Sequence, residues 1–188
     1  MPTVMTHAAV GVALGTLTSF PPRRRLFWIV SAVLPMLPDL DVIGLAFGIR
    51  FHSMWGHRGI THSLAAALAI GVVTALLVHR RLGARLAPLA LCFVVITASH
   101  GLLDAFTNGG PGVAFFAPFD DTRYFFPWRP LEVSPISVTR FFSEGGGEVL
   151  RSEIKYIWAP LASFWLCIWC ARRFAEALRN AREKGSAA

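Results

Sequence analysis

Charge is scarce in this chain. Only 15% of its 188 residues are Asp, Glu, Lys or Arg, against about 25% in an ordinary soluble domain. Hydrophobic residues make up 54%, and the mean hydropathy is +0.53. That balance excludes a typical water-soluble globular protein and points to an all-α, polytopic membrane protein. Cysteine is scarce as well. Cys92, Cys167 and Cys170 all fall inside apolar runs, which leaves no thiolates for a polar metal site, and the Cys167/Cys170 spacing reads as helix packing. No Lys or Arg precedes the apolar stretch within Met1 to Gly15, so the basic start of a cleavable signal peptide is missing. No internal repeat is found. The net charge of +7 would suit nucleic acid if the basic residues formed one patch. They lie between apolar runs instead, so no nucleic-acid partner is expected.

What is present is a series of about five apolar segments, some short or broken. The first runs from about Thr6 to Phe20, short of the roughly 20 residues that cross a bilayer core. It carries Gly11 and Gly15, small residues four apart that let two helices approach closely. Pro21-Pro22 ends it. The second covers Leu26 to Leu37 and is expected to break at Pro35 and Pro38, because proline removes helical hydrogen bonds. Non-helical backbone at membrane depth is tolerated where it lines a cavity, so Asp39 and Asp41 just beyond the break suggest a site wall. After a loop from about Gly44 to Gly59 come segments over Leu64 to Val78 and Leu86 to Phe106. A long polar excursion, 107–153, is rich in Pro, Gly and Phe, and its aromatic cluster from Phe115 to Trp128 reads as an interfacial belt or lid. The last apolar segment spans Tyr156 to Ala171. This divides the chain into one membrane-embedded domain, 1–172, and a basic tail, 173–188.

The basic residues orient these segments. Arg23 to Arg25, Arg80 to Arg85 and the tail from Arg172 hold eleven of the eighteen Lys and Arg residues. With five segments all three stretches share one side, which the positive-inside rule makes cytoplasmic. The 107–153 loop then lies outside. So do the chemistry-bearing residues: His7 at the outer start of segment one, Asp39 and Asp41 at the outer end of two, His57 and His62 at the outer start of three, and His100 with Asp104 toward the outer end of four. The charges that fix this orientation are independent of those residues.

Ionisable groups at the edge of a bilayer core are costly, and each demands a partner. His57 and His62 sit in Gly56-His57-Arg58-Gly59-Ile60-Thr61-His62-Ser63, at the mouth of the third segment. His100 and Asp104 are four apart and share a helix face. Imidazole with carboxylate suits zinc, and also manganese or iron. The expected metal ligands are therefore His7, Asp39, Asp41, His57, His62, His100 and Asp104, more than one tetrahedral shell needs. The excess implies either further metals or carboxylates that orient the imidazoles. Arg58, Arg123 and Arg129 are candidate clamps for an anionic group such as phosphate; Arg58, Arg129 and Asp41 are the expected catalytic residues. His52 and His79, outside this pattern, read as ordinary loop residues. The same set also admits a metal-binding transporter or structural protein without chemistry, or polar glue between helices.

At these residues the sequence resembles the YdjM-type family of inner-membrane, metal-dependent hydrolases, some members of which are under LexA control. The matching pieces are Thr6-His7, Leu37-Pro38-Asp39-Leu40-Asp41, His57-Arg58-Gly59-Ile60-Thr61-His62-Ser63, Ser99-His100 with Asp104, and Phe126-Pro127-Trp128-Arg129-Pro130 followed by Val133-Ser134-Pro135-Ile136. The resemblance runs from the start of the chain to about Ile136. It implies hydrolase activity and metal dependence at an inner membrane, and leaves the substrate open. The order of His7, an Asp, a later His and the His100/Asp104 pair is also similar to that of zinc-dependent phospholipase C enzymes, although a second His-x-x-x-Asp pair is missing. That likeness implies hydrolysis of a phosphate ester of a membrane lipid or lipid-linked substrate.

Overall fold

A computed structural model describes residues 1–18, 25–143 and 145–186. The Pro21-Pro22 stop and Arg23 and Arg24 lie outside the described residues. The chain is helical, and among the described residues the only β pairing is two isolated bridges, Thr107 with Leu131 and Val113 with Tyr124.

Helix α1 (Val4–Thr16) opens on Thr3, whose hydroxyl accepts from the Thr6 amide, and is apolar but short. Helix α2 (Arg25–Val33) continues into a 3-10 helix (Leu34–Asp41) and then α3 (Val42–Ala46), so that Arg25–Ala46 is long and apolar enough to cross a membrane. The expected break at Pro35 and Pro38 is therefore not a loop. Narrowing to three residues per turn keeps the axis running through two residues that cannot supply an N–H. The α4 helix (Leu64–Leu82) is capped by Ser63, whose hydroxyl accepts from Ala66, and it ends on Gly83 in the left-handed conformation. Helix α5 (Leu86–Ala105) follows at once, so α4 and α5 form a hairpin, and both are also long and apolar enough to span.

The loop 107–153 is more structured than its composition suggests. It contains α6 (Val138–Ser143) and α7 (Gly146–Glu153), and α7 passes through a π-helical turn (Ile154–Trp158) into α8 (Ala159–Ser186). The fourth candidate span is Gly146–Ala171, ten residues earlier in its start than the Tyr156 expected from hydropathy, and α8 runs unbroken past position 172. Cys167 and Cys170 are exposed on α8 rather than packed.

Two contacts set the bundle. Gly11 lies against the Ser31 carbonyl and the Pro35 ring, where any Cβ would overlap both. The small residue thus brings α1 onto the α2 axis, as its spacing predicted. The core beneath the site is Phe27, Leu34, Leu89, Phe93 and Ile96, all at most 2% exposed, joining α2, the 3-10 helix and α5.

Candidate metal centre

The fold draws side chains from four stretches of chain into one buried cluster: His7 from α1, Asp39 and Asp41 from the 3-10 helix, His57, Arg58 and His62 from the loop before α4, and His100 and Asp104 from α5. All are 9% exposed or less. His100 and Asp104 lie one helical turn apart. Asp39 and Asp41 are two apart on a helix of three residues per turn, so they point in different directions. Asp39 faces the α5 side, where its Oδ1 is 3.4 Å from His100 Nε2 and 3.5 Å from His62 Nε2. Asp41 faces the loop. Its Oδ1 is 2.8 Å from His57 Nδ1, and its Oδ2 accepts from Thr61 Oγ1 at 2.7 Å and lies 3.2 Å from His62 Nδ1.

Asp104 closes the cluster from below. Its Oδ2 lies 3.5 Å from His62 Nε2 and 3.8 Å from His100 Nε2, and its Oδ1 lies 3.5 Å from His7 Nε2. The His7 and His100 rings stack at 4.0 Å. His100 Nδ1 is 2.6 Å from the Pro35 carbonyl. In a 3-10 ladder that carbonyl would accept from the N–H of residue 38, which Pro38 lacks. The imidazole takes the vacant place, and its Nε2 is left facing Asp39 and Asp104.

These separations carry the argument about what the cluster holds. His7 Nε2, His62 Nε2, His100 Nε2, both oxygens of Asp39 and Asp104 Oδ1 are buried without a hydrogen-bond partner, and Asp104 Oδ2 has only its ion pair with Arg58. Orphaned buried polar atoms are costly and demand an explanation. Gaps of 3.4–3.8 Å are too long for good hydrogen bonds. Ligand atoms about 2.1 Å from one cation at tetrahedral angles lie about 3.4 Å apart, so the same gaps fit the edges of a coordination shell. Two groups of donors lie close enough to converge on an ion, Asp39 with His57, His62 and Asp104, and His7 with Asp39 and His100, each with its ligand atoms within 4.8 Å of one another. Asp39 belongs to both.

Charge points the same way. With neutral imidazoles, and with the Met1 amino group pushed down to about 6 by burial and so largely neutral, three buried carboxylates face one buried guanidinium, an excess of two negative charges that a divalent cation would balance. Without a cation, protons must do so. Burial pushes the His62 pKa down, but the carboxylates of Asp104, Asp39 and Asp41 around the ring outweigh that and raise it to about 10.

The arginines divide. Arg58 is fully buried, in a left-handed backbone conformation (φ 61°), with Nε 3.0 Å from Asp104 Oδ2. Its Nη1 donates to the Gly109 carbonyl and its Nη2 to Thr107 Oγ1, both at 3.0 Å. It is thus the charge partner of a cluster carboxylate, with its donors engaged, rather than an open anion clamp. Arg123 donates to the carbonyls of Ser53 and His57, stapling the loop that carries His57. Arg129 is exposed, its guanidinium 4.9 Å from the centre of the Phe125 ring, and the structure does not bring it to the cluster. Sequence reasoning gave no role to Thr61 or Thr107, and to Pro35 only that of a helix break. Glu153, at the end of the 107–153 excursion, is 1% exposed and accepts from the Thr3 amide and from the hydroxyls of Thr3 and Thr6, beside His7. A single acid at the head of an apolar helix was the signal for it.

Two openings reach the cluster. An apolar cleft of about 540 Å³ between α1, the 3-10 helix and α6 ends at Asp39. A smaller pocket of about 180 Å³ is lined by His57, Arg58, Phe51 and Pro111.

Among curated proteins, the inner membrane protein YbcI of Escherichia coli (strain K12) is 38% identical over 175 residues, covering 92% of this chain and 100% of YbcI. No solved structure matches the chain. The sequence model described as YdjM inner membrane protein matches residues 1–177. That span takes in every residue of the buried cluster together with all four candidate membrane spans, and the chain belongs to the YdjM inner membrane protein family.

Proposed function

We propose that this protein is a membrane-bound, metal-dependent hydrolase that cleaves a phosphate ester of a lipid or lipid-linked substrate on the extracytoplasmic side. The observation that carries the reading is the set of unpaired buried imidazole and carboxylate atoms at coordination-shell spacing, reached by two pockets. The donor set has nitrogen and oxygen and no sulfur, which suits zinc first, then manganese or iron. His62, His100, Asp39 and Asp104 would hold the ion, with His57 and His7 completing one or two shells. A divalent cation in such a place polarises a phosphoryl oxygen and lowers the pKa of bound water toward neutrality.

The remaining residues position these ligands. Asp41 turns His57 and His62 through their Nδ1 atoms, and the Pro35 carbonyl does the same for His100. Arg58 pairs with Asp104 through Nε, 3.0 Å from Oδ2. The positive-inside pattern supports an outward-facing site and a cytoplasmic tail beyond 172.

A second reading, a metal-binding protein without catalysis, is favoured by the depth of the cluster, since structural metal sites are closed. One experiment separates the two. Purified protein is analysed for metal by mass spectrometry and assayed for release of phosphate or headgroup from phospholipid vesicles. Stoichiometric metal and hydrolysis, both abolished in His100→Ala with Asp104→Ala, support the hydrolase. Stoichiometric metal without hydrolysis of any lipid supports the second reading, and metal retained in the double variant refutes the assignment of the ligands.

A further inference from the structure

The 540 Å³ cleft lies within the range of about 300–1,000 Å³ typical of sites for small organic ligands. Its lining includes Val33, Met36, Leu37, Ile136 and Phe141 together with Asp39, a carboxylate of the candidate metal centre and the one ionisable side chain among the lining residues. Such a space suits a molecule that is apolar over most of its length and polar at one end. One wall belongs to the Arg25–Ala46 span, and on that span Ile29 and Ile43, which do not line the cleft, are 59% and 55% exposed, so the cleft lies on an element with further exposed apolar surface. The smaller pocket approaches the cluster at His57 and Arg58 and shares Ser134 and Ile136 with the cleft. The candidate metal centre therefore contributes Asp39 to the apolar cleft and His57 to the smaller pocket, where Arg58 is the one cationic side chain.

We infer that the cleft between α1, the 3-10 helix and α6 is an acyl-chain subsite. It takes one hydrocarbon tail of a phospholipid from the surrounding bilayer, with the phosphate end at Asp39 and the headgroup toward the pocket at His57 and Arg58. The inference rests on the reading of the cluster as a reaction centre and deepens it, because it fixes which end of an amphiphile meets the metal. A soluble phosphoester would leave the cleft unused.

The test uses the full chain in nanodiscs containing phosphatidylglycerol with a diazirine in one palmitoyl chain. After photolysis, adducts are mapped by mass spectrometry. Adducts should concentrate on Leu37, Ile136 and Phe141 over the outward-facing Ile29 and Leu77, which report annular lipid. Met36→Trp, which fills the cleft, should lower them by about tenfold or more while bound metal stays stoichiometric. If Met36→Trp loses metal and so fails to fold, Val33→Trp on the rim provides the same comparison. Adducts no denser in the cleft than at Ile29 and Leu77, or unaffected by either tryptophan, overturn the subsite. Cross-linking needs no turnover, so cleft adducts without hydrolysis sink the hydrolase reading and leave a lipid site. Hydrolysis without cleft adducts does the reverse.

Discussion

Asp41 Oδ1 lies 2.8 Å from His57 Nδ1, so the last residue of a 3-10 helix sets the angle of an imidazole sixteen residues further along the chain. The same carboxylate accepts from Thr61 Oγ1 and touches His62 Nδ1. Asp41 thus steers two candidate ligands at once, a carboxylate–histidine arrangement of the kind that raises ligand basicity and fixes ring orientation. Asp41→Asn should therefore weaken metal affinity by about 10–100-fold without abolishing binding at saturating metal. Competition with a chromogenic chelator measures this.

Asp39 is in a different position. It is shared by both donor groups and has no hydrogen-bond partner of its own. Asp39→Ala should reduce bound metal to background even at saturating concentrations. Plasma mass spectrometry on Asp39→Ala beside Asp41→Asn tests the division of labour, and equal losses in the two variants would contradict it.

His62 supplies a pH dependence. In metal-free protein its pKa stands raised from 6.5 to about 10, so the imidazolium form stabilises the fold. A raised pKa contributes fully below the unfolded value and is lost as pH climbs through the folded one. Thermal unfolding in detergent should therefore shift to lower temperature between pH 6.5 and 10, and His62→Asn should flatten that window. Metal must displace the same proton, so binding should release protons and tighten as pH rises across this range.

Arg58 and Asp104 form a fully buried ion pair. Removing one partner leaves an uncompensated charge at a cost of about 3–5 kcal/mol. Arg58→Met should destabilise the protein on that scale, whereas Arg58→Met with Asp104→Asn should recover much of the loss without recovering metal. Chemical or thermal denaturation monitored beside metal content distinguishes stability from ligation.

Glu153 fastens the start of α1 to α7 through Thr3 and Thr6, and Trp158 Nε1 donates to Thr6 Oγ1 at 2.7 Å. Each orphaned donor costs about 1–3 kcal/mol. Glu153→Ala should lower the melting temperature and, by loosening the helix that carries His7, weaken metal binding more than Glu153→Gln does. Equal metal affinity in the two variants would show that α1 is held by other contacts.

Much of this arrangement was legible in the chain itself. Apolar segments show because lipid solvates them, and His7, His57, His62, His100 and Asp104 stand out because each interrupts or borders such a segment. Gly11 announced a close helix approach, and the Ser31 carbonyl supplies it. The 3-10 helix was hidden because a proline pair looks the same whether it breaks a helix or narrows it, and only the narrowing separates the roles of Asp39 and Asp41. The partner of Arg58 was hidden as well. It depends on a left-handed backbone at a non-glycine residue and on Thr107, which lies 49 positions away. The short helices within 107–153 escaped notice because α6 has six residues and α7 eight, too few for periodicity to register.

Pro38 has a consequence larger than its size. By withholding a backbone hydrogen from the carbonyl of Pro35, it reserves that oxygen for an imidazole on another helix and so selects a single tautomer of His100. An alanine there would introduce a competing donor, and the ring could then turn either nitrogen toward the carboxylates. An imino acid that offers no side-chain donor thereby governs which ring nitrogen of a neighbouring helix's histidine faces the carboxylates.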